Sequence, residues 1–197
     1  CRYLKNMSDE EKAIIYGIVG GTPQYLLQIN DKMSVEENIR NTFLNPMSFL
    51  YEEPMNLLKQ EVREPAIYTA IITAIATGHS RMSEISTKVG EDTNVCSGYL
   101  KNLINLGIIK KETPYGEKTS KKSIYSIEDN MFCFWYRFVL DNNSIIVRGA
   151  ADLVYKKIEA QLSDYMGRVF EDISAQYLWK QLLTGNSPVE FTSLGRW

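Results

Sequence analysis

The stretch GYLKNLINLGIIKKETPYGEKTSKKSIYSI, residues 98–127, passes from a helical pattern into two short β-prone runs separated by a lysine-rich turn. The runs IIKKE and KKSIYSI flank TPYGEKTS, whose Pro and Gly are typical of a hairpin loop. Three helices are predicted around it and upstream of it, in PAIYTAIITAIATG, RMSEISTKVG and TNVCSGYLKNLINLG. Three helices followed by a β-hairpin indicate a winged helix-turn-helix over residues 63–129.

The third of these helices is the candidate DNA-reading element. Its apolar residues lie at helical spacing and are Val95, Tyr99, Leu103 and Leu106. In a winged helix the opposite, solvent-facing side enters the major groove, and here it is predicted to carry Asn94, Ser97, Lys101, Asn102 and Asn105. Asparagine can bond adenine twice, whereas lysine and serine reach phosphate or guanine.

The hairpin adds positive charge to this surface. It carries Lys118, Lys121 and Lys122, with Lys110 and Lys111 at its base, against Glu112 and Glu117. DNA is therefore one predicted partner. A second interpretation remains open, because lysines on a hairpin also guard an exposed strand edge against aggregation, and the third helix contains no arginine. Winged helices also act as protein-interaction or dimerisation modules, so a homo-oligomer is a further possibility.

Residues 1–62 are predicted to form an all-helical unit. SDEEKAIIYGIVGG opens with Ser8 and Glu11 at capping-box spacing, and SVEENIRNTFL repeats that signal with Ser34 and Glu37. Pro23 suits the first position of a short helix after two glycines. In PMSFLYEEPMNLLKQEV, Pro54 is expected to break the helix into two pieces.

Residues 130–197 begin with the aromatic run MFCFWYRFVL. Aromatic side chains can stack on nucleobases, but at this density they favour a buried core, and Arg137 within the run is expected to be paired or stacked. One or two amphipathic helices follow, with Gly167 as the expected point of bending or close packing, and then a possible strand VEFTSL. The predicted fold class is mainly α with a small β-hairpin.

Composition limits the possible functions. The 197 residues are 44% hydrophobic with a formal charge of −2, so DNA binding must come from a local patch rather than from a basic chain. The cysteines Cys1, Cys96 and Cys133 have no CxxC spacing, and a lone His79 in a polar turn favours neither a zinc site nor a catalytic triad. No apolar run of membrane-spanning length and no signal peptide occurs, which predicts a cytoplasmic protein without a membrane partner.

Several stretches agree with one family in the same order along the chain. YGIVGGTPQYL, IYTAIITAIATGHSRMSEIS, YLKNLINLGIIKKETP, SIYSIEDNMFCFWYRFV, GRVFED and LGRW together resemble the C-terminal half of archaeal-type P-loop ATPases. In these AAA-like proteins a nucleotide-binding domain is followed by a helical lid, a winged helix and a domain of unknown function. The resemblance implies a lid-like segment over residues 1–62, the winged helix over 63–129, and an aromatic linker helix with the start of the last domain over 130–197.

The resemblance also assigns the family's GGxP lid signature to Gly20, Gly21, Thr22 and Pro23. This signature is not a phosphate-binding loop, since the chain contains no GxxxxGK[ST] arrangement. Two glycines that end a helix and a proline that starts the next are a sufficient structural explanation. ATP and Mg²⁺ are therefore expected for the ATPase domain of a parent chain, and no cofactor or metal is expected in these residues.

The family's last domain is similar to PD-(D/E)XK nucleases, and Glu171 in GRVFED matches their early glutamate. The Asp and Glu-x-Lys that complete such a Mg²⁺ site would lie beyond residue 197. Glu171 is the one weak catalytic candidate, and it is equally well explained as a surface residue one helical turn from Arg168. The sequence thus predicts a non-catalytic C-terminal region that binds DNA and couples it to an ATPase domain, with an interaction scaffold or a nuclease remnant as alternatives.

Overall fold

The computed structural model describes residues 3–113 and 123–194. Of these residues, 66% are helical and 4% lie in two antiparallel strands, which confirms the mainly α fold class. The helices are α1 Asp9–Val19, α2 Pro23–Leu26, α3 Val35–Phe43, α4 Phe49–Glu61, α5 Pro65–Ala76, α6 Met82–Val89, α7 Thr93–Asn105, α8 Asn130–Phe138, α9 Asn143–Val147 and α10 Ala151–Leu183. The strands are β1 Ile109–Glu112 and β2 Ile124–Ile127, and a 3-10 turn, Leu140–Asn142, precedes α9.

The two predicted capping boxes are present at the starts of α1 and α3. Ser8 Oγ accepts the Glu11 backbone N–H at 3.2 Å, and the Glu11 carboxylate accepts the Ser8 N–H at 2.8 Å. Ser34 and Glu37 repeat both bonds. These backbone hydrogen bonds lower the pKa of both glutamates, because they favour the charged carboxylate. Both helix starts are therefore fixed by local sequence.

The predicted break at Pro54 is wrong. α4 continues through Pro54 to Glu61. Proline removes the N–H that would bond the carbonyl of Leu50, a cost of about 3 kcal/mol in a helix interior. Pro54 is buried, however, and lies on the same helix face as the buried Leu50 and Leu58. Packing of this face against the core offsets the lost hydrogen bond.

The three helices α5, α6 and α7 pack on one another and are followed by the hairpin, in the order predicted. Gly90 ends α6 in the left-handed conformation with φ 79°, which glycine adopts without strain. The strands pair from Ile109 with Ile127 to Glu112 with Ile124. The Tyr125 N–H also donates to the Ser80 carbonyl at 2.7 Å, so the turn before α6 holds the second strand in place.

The aromatic helix α8 lies at the centre of the molecule, as predicted for a core element. Seven of its nine residues are buried. The Phe134 ring meets Phe43 of α3 edge-on at 5.0 Å and Tyr165 of α10 at 5.7 Å. Trp135 Nε1 donates to the Tyr51 carbonyl of α4 at 2.6 Å. One helix therefore organises contacts with three others.

The last long helix α10 is a single element of 33 residues. The predicted close packing at Gly167 is wrong, because Gly167 is exposed and an added Cβ would meet nothing within 4 Å. The close approach is at Gly17 of α1, where a Cβ would lie 2.7 Å from Met166 Sδ and 3.1 Å from Val169. The possible strand VEFTSL is also wrong, since residues 189–194 adopt no strand.

The end of α1 is bonded to both α8 and α10. Carbonyls near a helix end can accept donors from outside the helix, and the Tyr16 carbonyl does so in addition to accepting the Gly20 N–H. The Tyr165 hydroxyl donates to the Gly17 carbonyl at 2.6 Å, and Asn130 Nδ2 donates to the Tyr16 carbonyl at 3.0 Å. Burial raises the pKa of Tyr165 well above its usual value, so the phenol keeps its donating proton. One hydrophobic cluster spans all three predicted segments.

We expect Gly17→Ala to destabilise the protein by about 1–3 kcal/mol, because the new methyl overpacks the contact with Met166 and Val169. Gly167→Ala is the matched control. It adds the same methyl to an open helix position and should stabilise by about 0.5–1 kcal/mol. Urea unfolding monitored by circular dichroism measures both values. Equal effects of the two substitutions would contradict the close approach at Gly17.

Tyr165→Phe should lower the free energy of unfolding by about 1–2 kcal/mol, since it leaves the buried Gly17 carbonyl without its hydroxyl donor. Tyr177→Phe removes a hydroxyl from an exposed position of the same helix and should change stability by less than about 0.5 kcal/mol. Thermal and urea unfolding of the two variants test the difference. A Tyr165 variant as stable as the Tyr177 variant would show that this hydrogen bond is unimportant.

Candidate nucleic-acid interface

Helix α7 is held to the body by Cys96, Leu100 and Leu103, which are all fully buried. The apolar face expected from sequence was Val95, Tyr99, Leu103 and Leu106. Of these only Leu103 is buried, whereas Val95 is 41% and Leu106 37% exposed. The buried face is therefore rotated from the expected one toward Cys96 and Leu100. The hydrophobic pattern alone allowed both faces, and contact with α5 and α6 selects this one.

The outward face of α7 is polar. Asn94, Ser97, Lys101, Asn102 and Asn105 are all exposed. The five side chains that the sequence assigned to the DNA-reading face therefore all reach solvent. Lys101 is the one basic residue of this helix.

Asn102 is exposed as well, but it lies toward the α5 side of α7, where its side chain bonds the neighbouring helix. Its Nδ2 donates to the Tyr68 hydroxyl of α5 at 2.9 Å. The Tyr99 hydroxyl, on the same flank, donates to Glu64 Oε2 at 3.2 Å, and this hydrogen bond raises the pKa of Tyr99. While its bond to Tyr68 persists, the Asn102 amide is oriented toward α5.

The lysines at the base of the hairpin already have local contacts. Lys110 Nζ lies 2.9 Å from Glu112 Oε1 on the same strand, and Lys111 Nζ lies 5.8 Å from the ring centre of Tyr125 on the paired strand. An exposed pair such as Lys110 with Glu112 contributes little to stability, but it neutralises one cation. The remaining candidates Lys118, Lys121 and Lys122 lie outside the described residues.

The charge of this region depends strongly on those lysines. Over residues 63–113 and 123–129 the sequence carries six basic and seven acidic side chains. Glu91 and Asp92 stand next to the start of α7, where a DNA phosphate would meet repulsion. A positive surface therefore requires the lysines of residues 118–122 in addition to Lys101.

The GGTP stretch acts as a helix stop and start. The Gly20 N–H donates to the Tyr16 carbonyl at 2.8 Å, and its φ of 68° ends α1. The Thr22 carbonyl accepts the N–H groups of Tyr25 and Leu26, and Pro23 is the first residue of α2. Gly21, Thr22 and Pro23 are exposed. This geometry matches the structural explanation derived from sequence.

Glu171 is exposed on α10. Across residues 3–113 and 123–194, no group of three or more His, Cys, Asp or Glu side chains is placed to hold a metal ion. The neighbouring Arg168 points Nη1 toward the Ile127 carbonyl at 3.4 Å, a contact between α10 and the hairpin. The structure therefore does not assemble a nuclease metal site around Glu171 from its described part.

Other reactive side chains have structural surroundings. Arg137 pairs with Asp164 at 2.8 Å and lies 5.3 Å above the Phe138 ring, as expected for a guanidinium among aromatics. Burial raises the pKa of the Cys96 and Cys133 thiols, which disfavours the nucleophilic thiolate. His79 Nδ1 lies 3.3 Å from the Ala74 carbonyl at the end of α5.

In the part of the chain that the structure covers, no helix combines the length and the apolar character needed to cross a bilayer, the 33-residue α10 included.

We expect Asn102→Ala to be about 1 kcal/mol less stable than Asn94→Ala, because only Asn102 bonds a partner across the α5–α7 contact. Both substitutions remove the same amide from an exposed position of α7, and Asn102 is the one that bonds Tyr68 of α5. Chemical unfolding of both variants gives the comparison. Equal stabilities would mean that the Asn102 amide is not held by Tyr68 in solution.

Comparison with known proteins gives two similarities. Residues 135–197, which include the last four residues of α8 and all of α9 and α10, match DUF234, a family of archaeal and bacterial proteins of unknown function. The chain is also 34% identical over 189 residues to an uncharacterised protein of Methanocaldococcus jannaschii. That alignment covers 95% of this chain and 42% of the archaeal protein, so the chain spans less than half of its relative. No solved structure matches the chain.

Proposed function

We propose that this chain is a non-catalytic C-terminal region of an archaeal-type AAA-like ATPase, and that its α5–α7 unit and hairpin form a winged helix-turn-helix that binds DNA. The observation that carries the proposal is the exposed polar face of α7, with Asn94, Ser97 and Lys101, directly followed by a two-stranded hairpin. The resemblance of the whole chain to such ATPases and the similarity of residues 135–197 to DUF234 support the wider context.

The way in which α7 is anchored suits a helix that contacts DNA bases. Three buried side chains anchor one face, so the opposite face is presented on a rigid helix rather than on a loop. The second strand of the hairpin is also attached to the turn before α6, because the Tyr125 N–H donates to the Ser80 carbonyl. Outward asparagines and serine can bond bases, while Lys101 and the hairpin lysines bond phosphates.

The proposed DNA contact is weak and electrostatic. Lys101, Lys118, Lys121 and Lys122 supply about four phosphate contacts, so raising salt from 50 to 200 mM should reduce affinity by about a hundredfold. The acidic residues at the start of α7 reduce the attraction further. Binding through phosphates is independent of the DNA sequence, and the α7 asparagines add a modest preference for particular bases.

The connection to an ATPase domain would pass through the lid-like segment. α1 is bonded to α8 and α10 through Asn130 and Tyr165, and α8 in turn contacts α5 of the winged helix. A displacement of α1 by a nucleotide-binding domain would therefore reach the DNA-binding unit through packed helices. ATP and Mg²⁺ belong to that domain of the parent chain, and the residues of this chain contribute the transmitting contacts.

A protein-interaction or dimerisation role is the second candidate. It is favoured by the C-terminal half of α10, where large apolar side chains are exposed, including Phe170, Tyr177 and Leu183. Exposed apolar groups at this density mark interaction surfaces. Light scattering across a concentration series tests this role. A dimer that hides Lys101 would mean that this surface binds a second copy of the chain in place of DNA.

Lys101→Glu should weaken binding of a fluorescein-labelled 20-base-pair duplex by about tenfold at low salt, because it replaces a phosphate-binding cation by a repelling anion. Fluorescence anisotropy at about 50 mM salt measures the affinity. Simultaneous replacement of Lys118, Lys121 and Lys122 by Glu should abolish measurable binding. The matched control is Lys156→Glu, which makes the same charge change on the exposed face of α10.

The proposal fails if the unmodified chain binds no duplex at low salt, or if Lys156→Glu weakens binding as much as Lys101→Glu. In the second case the effect would follow net charge rather than a surface centred on α7. Circular dichroism of each variant confirms that the fold is retained.

A further inference from the structure

A groove lies along the flank of α7 that faces α5, next to the proposed DNA-reading face, and Asn102 and Asn105 border both. We name it the α7 groove. It has a volume of about 440 Å³ and separates α7 from the end of α4 and the start of α5. Its lining residues are Glu61, Val62, Arg63, Glu64, Tyr68, Tyr99, Asn102, Asn105 and Leu106. This volume falls within the range of ligand pockets and admits one long side chain with its backbone.

The floor of the groove is aromatic. The Tyr68 and Tyr99 rings meet edge-on, with centroids 4.9 Å apart and planes at 84°. Tyr68 is only 7% exposed, so its ring is a fixed wall rather than a mobile surface residue. Val62 and Leu106 extend the apolar surface on either side. An aromatic ring face carries partial negative charge, which attracts a cation that enters the groove.

The rim of the groove is acidic and held by hydrogen bonds. Its lining includes the carboxylates of Glu61 and Glu64 and one cation, Arg63. Glu64 Oε2 accepts the Tyr99 hydroxyl at 3.2 Å, and the Tyr68 hydroxyl accepts from Asn102 Nδ2 at 2.9 Å. Each ring is thereby tied to a polar group across the groove. A carboxylate, two aromatic rings and an apolar floor converge on one space.

We propose that the α7 groove binds an arginine or lysine side chain of a partner protein. The apolar floor takes the methylene stem of such a side chain, the half-buried Tyr99 ring attracts its cationic head, and the rim carboxylates pair with it. Arginine suits the site best, because its planar guanidinium stacks on a ring while it bonds a carboxylate. The occupant is a basic segment of another polypeptide.

The charge of the rim separates this site from the DNA surface. A phosphate in the α7 groove would meet two carboxylates, whereas the outward face of α7 carries Lys101. One helix thus presents two surfaces of opposite preference. The groove does not depend on the winged helix binding DNA, so the two proposals can fail separately.

The test is a titration of the ¹⁵N-labelled chain with N-acetylarginine amide, followed by ¹H–¹⁵N correlation spectra. We expect saturable shifts of the backbone amides of Val62, Tyr99, Asn102 and Leu106, with a dissociation constant on the order of millimolar. N-acetylcitrulline amide is the matched neutral ligand, since it replaces the guanidinium by a urea of the same shape. It should bind at least about fivefold more weakly.

Glu64→Gln should weaken arginine binding by about three- to fivefold, and Glu61→Gln by a similar or smaller factor. Glu128→Gln makes the same change at an exposed position outside the groove and should leave the affinity unchanged. Both groove glutamates are exposed, so neither substitution is expected to impair folding.

Three results would overturn the proposal. The first is the absence of shifts at these amides up to about 50 mM ligand, well above a millimolar dissociation constant. The second is equal binding of the citrulline and arginine ligands, which would remove the role of positive charge. The third is that duplex DNA, rather than the arginine ligand, shifts the groove amides.

Discussion

The contact between α1, α8 and α10 is the constraint on which the rest of the structure depends. Gly17 lets α1 approach Met166 and Val169 more closely than any side chain would allow, and that approach brings the Gly17 carbonyl to the Tyr165 hydroxyl. The same tyrosine ring packs edge-on against Phe134 and Phe138 of α8. Close packing and a buried hydrogen bond therefore meet at one residue: a side chain at position 17 would overpack the contact, and without the hydroxyl the carbonyl would lose its donor from α10.

Helix α8 also contacts other parts of the chain. Asp129 caps its start by accepting the Phe132 N–H at 3.0 Å, and the pKa of Asp129 is raised by desolvation although that bond opposes the shift. Asn130 reaches α1, Trp135 bonds α4, and α8 also contacts α5 and the second strand of the hairpin. The α5–α7 unit is consequently not an appendage on a linker. Its position relative to α1–α4 is set by shared packing on one aromatic helix.

The sequence predicted those features that depend on a few neighbouring residues. Capping boxes at Ser8 and Ser34, the helix start at Pro65 and the hairpin are local signals, and all are present. The predictions that failed concern Pro54, Gly167 and the buried face of α7, which depend on what each helix packs against. Gly17 and Gly167 look alike in sequence, because each is a single glycine within a helical pattern. Only the partner helix decides that one of them must lack a side chain. The α7 groove could not be predicted for the same reason, since its residues come from α4, α5 and α7.

The two flanks of α7 also bear on how one module can serve two kinds of partner. Lys101 and Asn102 are both exposed, as the sequence predicted, but a helix turns by about 100° per residue, so only Asn102 lies beside the groove. The Asn102 amide is held by Tyr68 near two carboxylates, and Asn105 lines the same groove, whereas Lys101 does not. In the two proposals, charge separates the ligands: the groove carboxylates would repel a phosphate and attract a basic side chain. A basic protein segment in the groove would add positive charge close to the DNA-reading face. Occupancy of the groove would therefore strengthen DNA binding through a local electrostatic contribution, without any change in the position of α7.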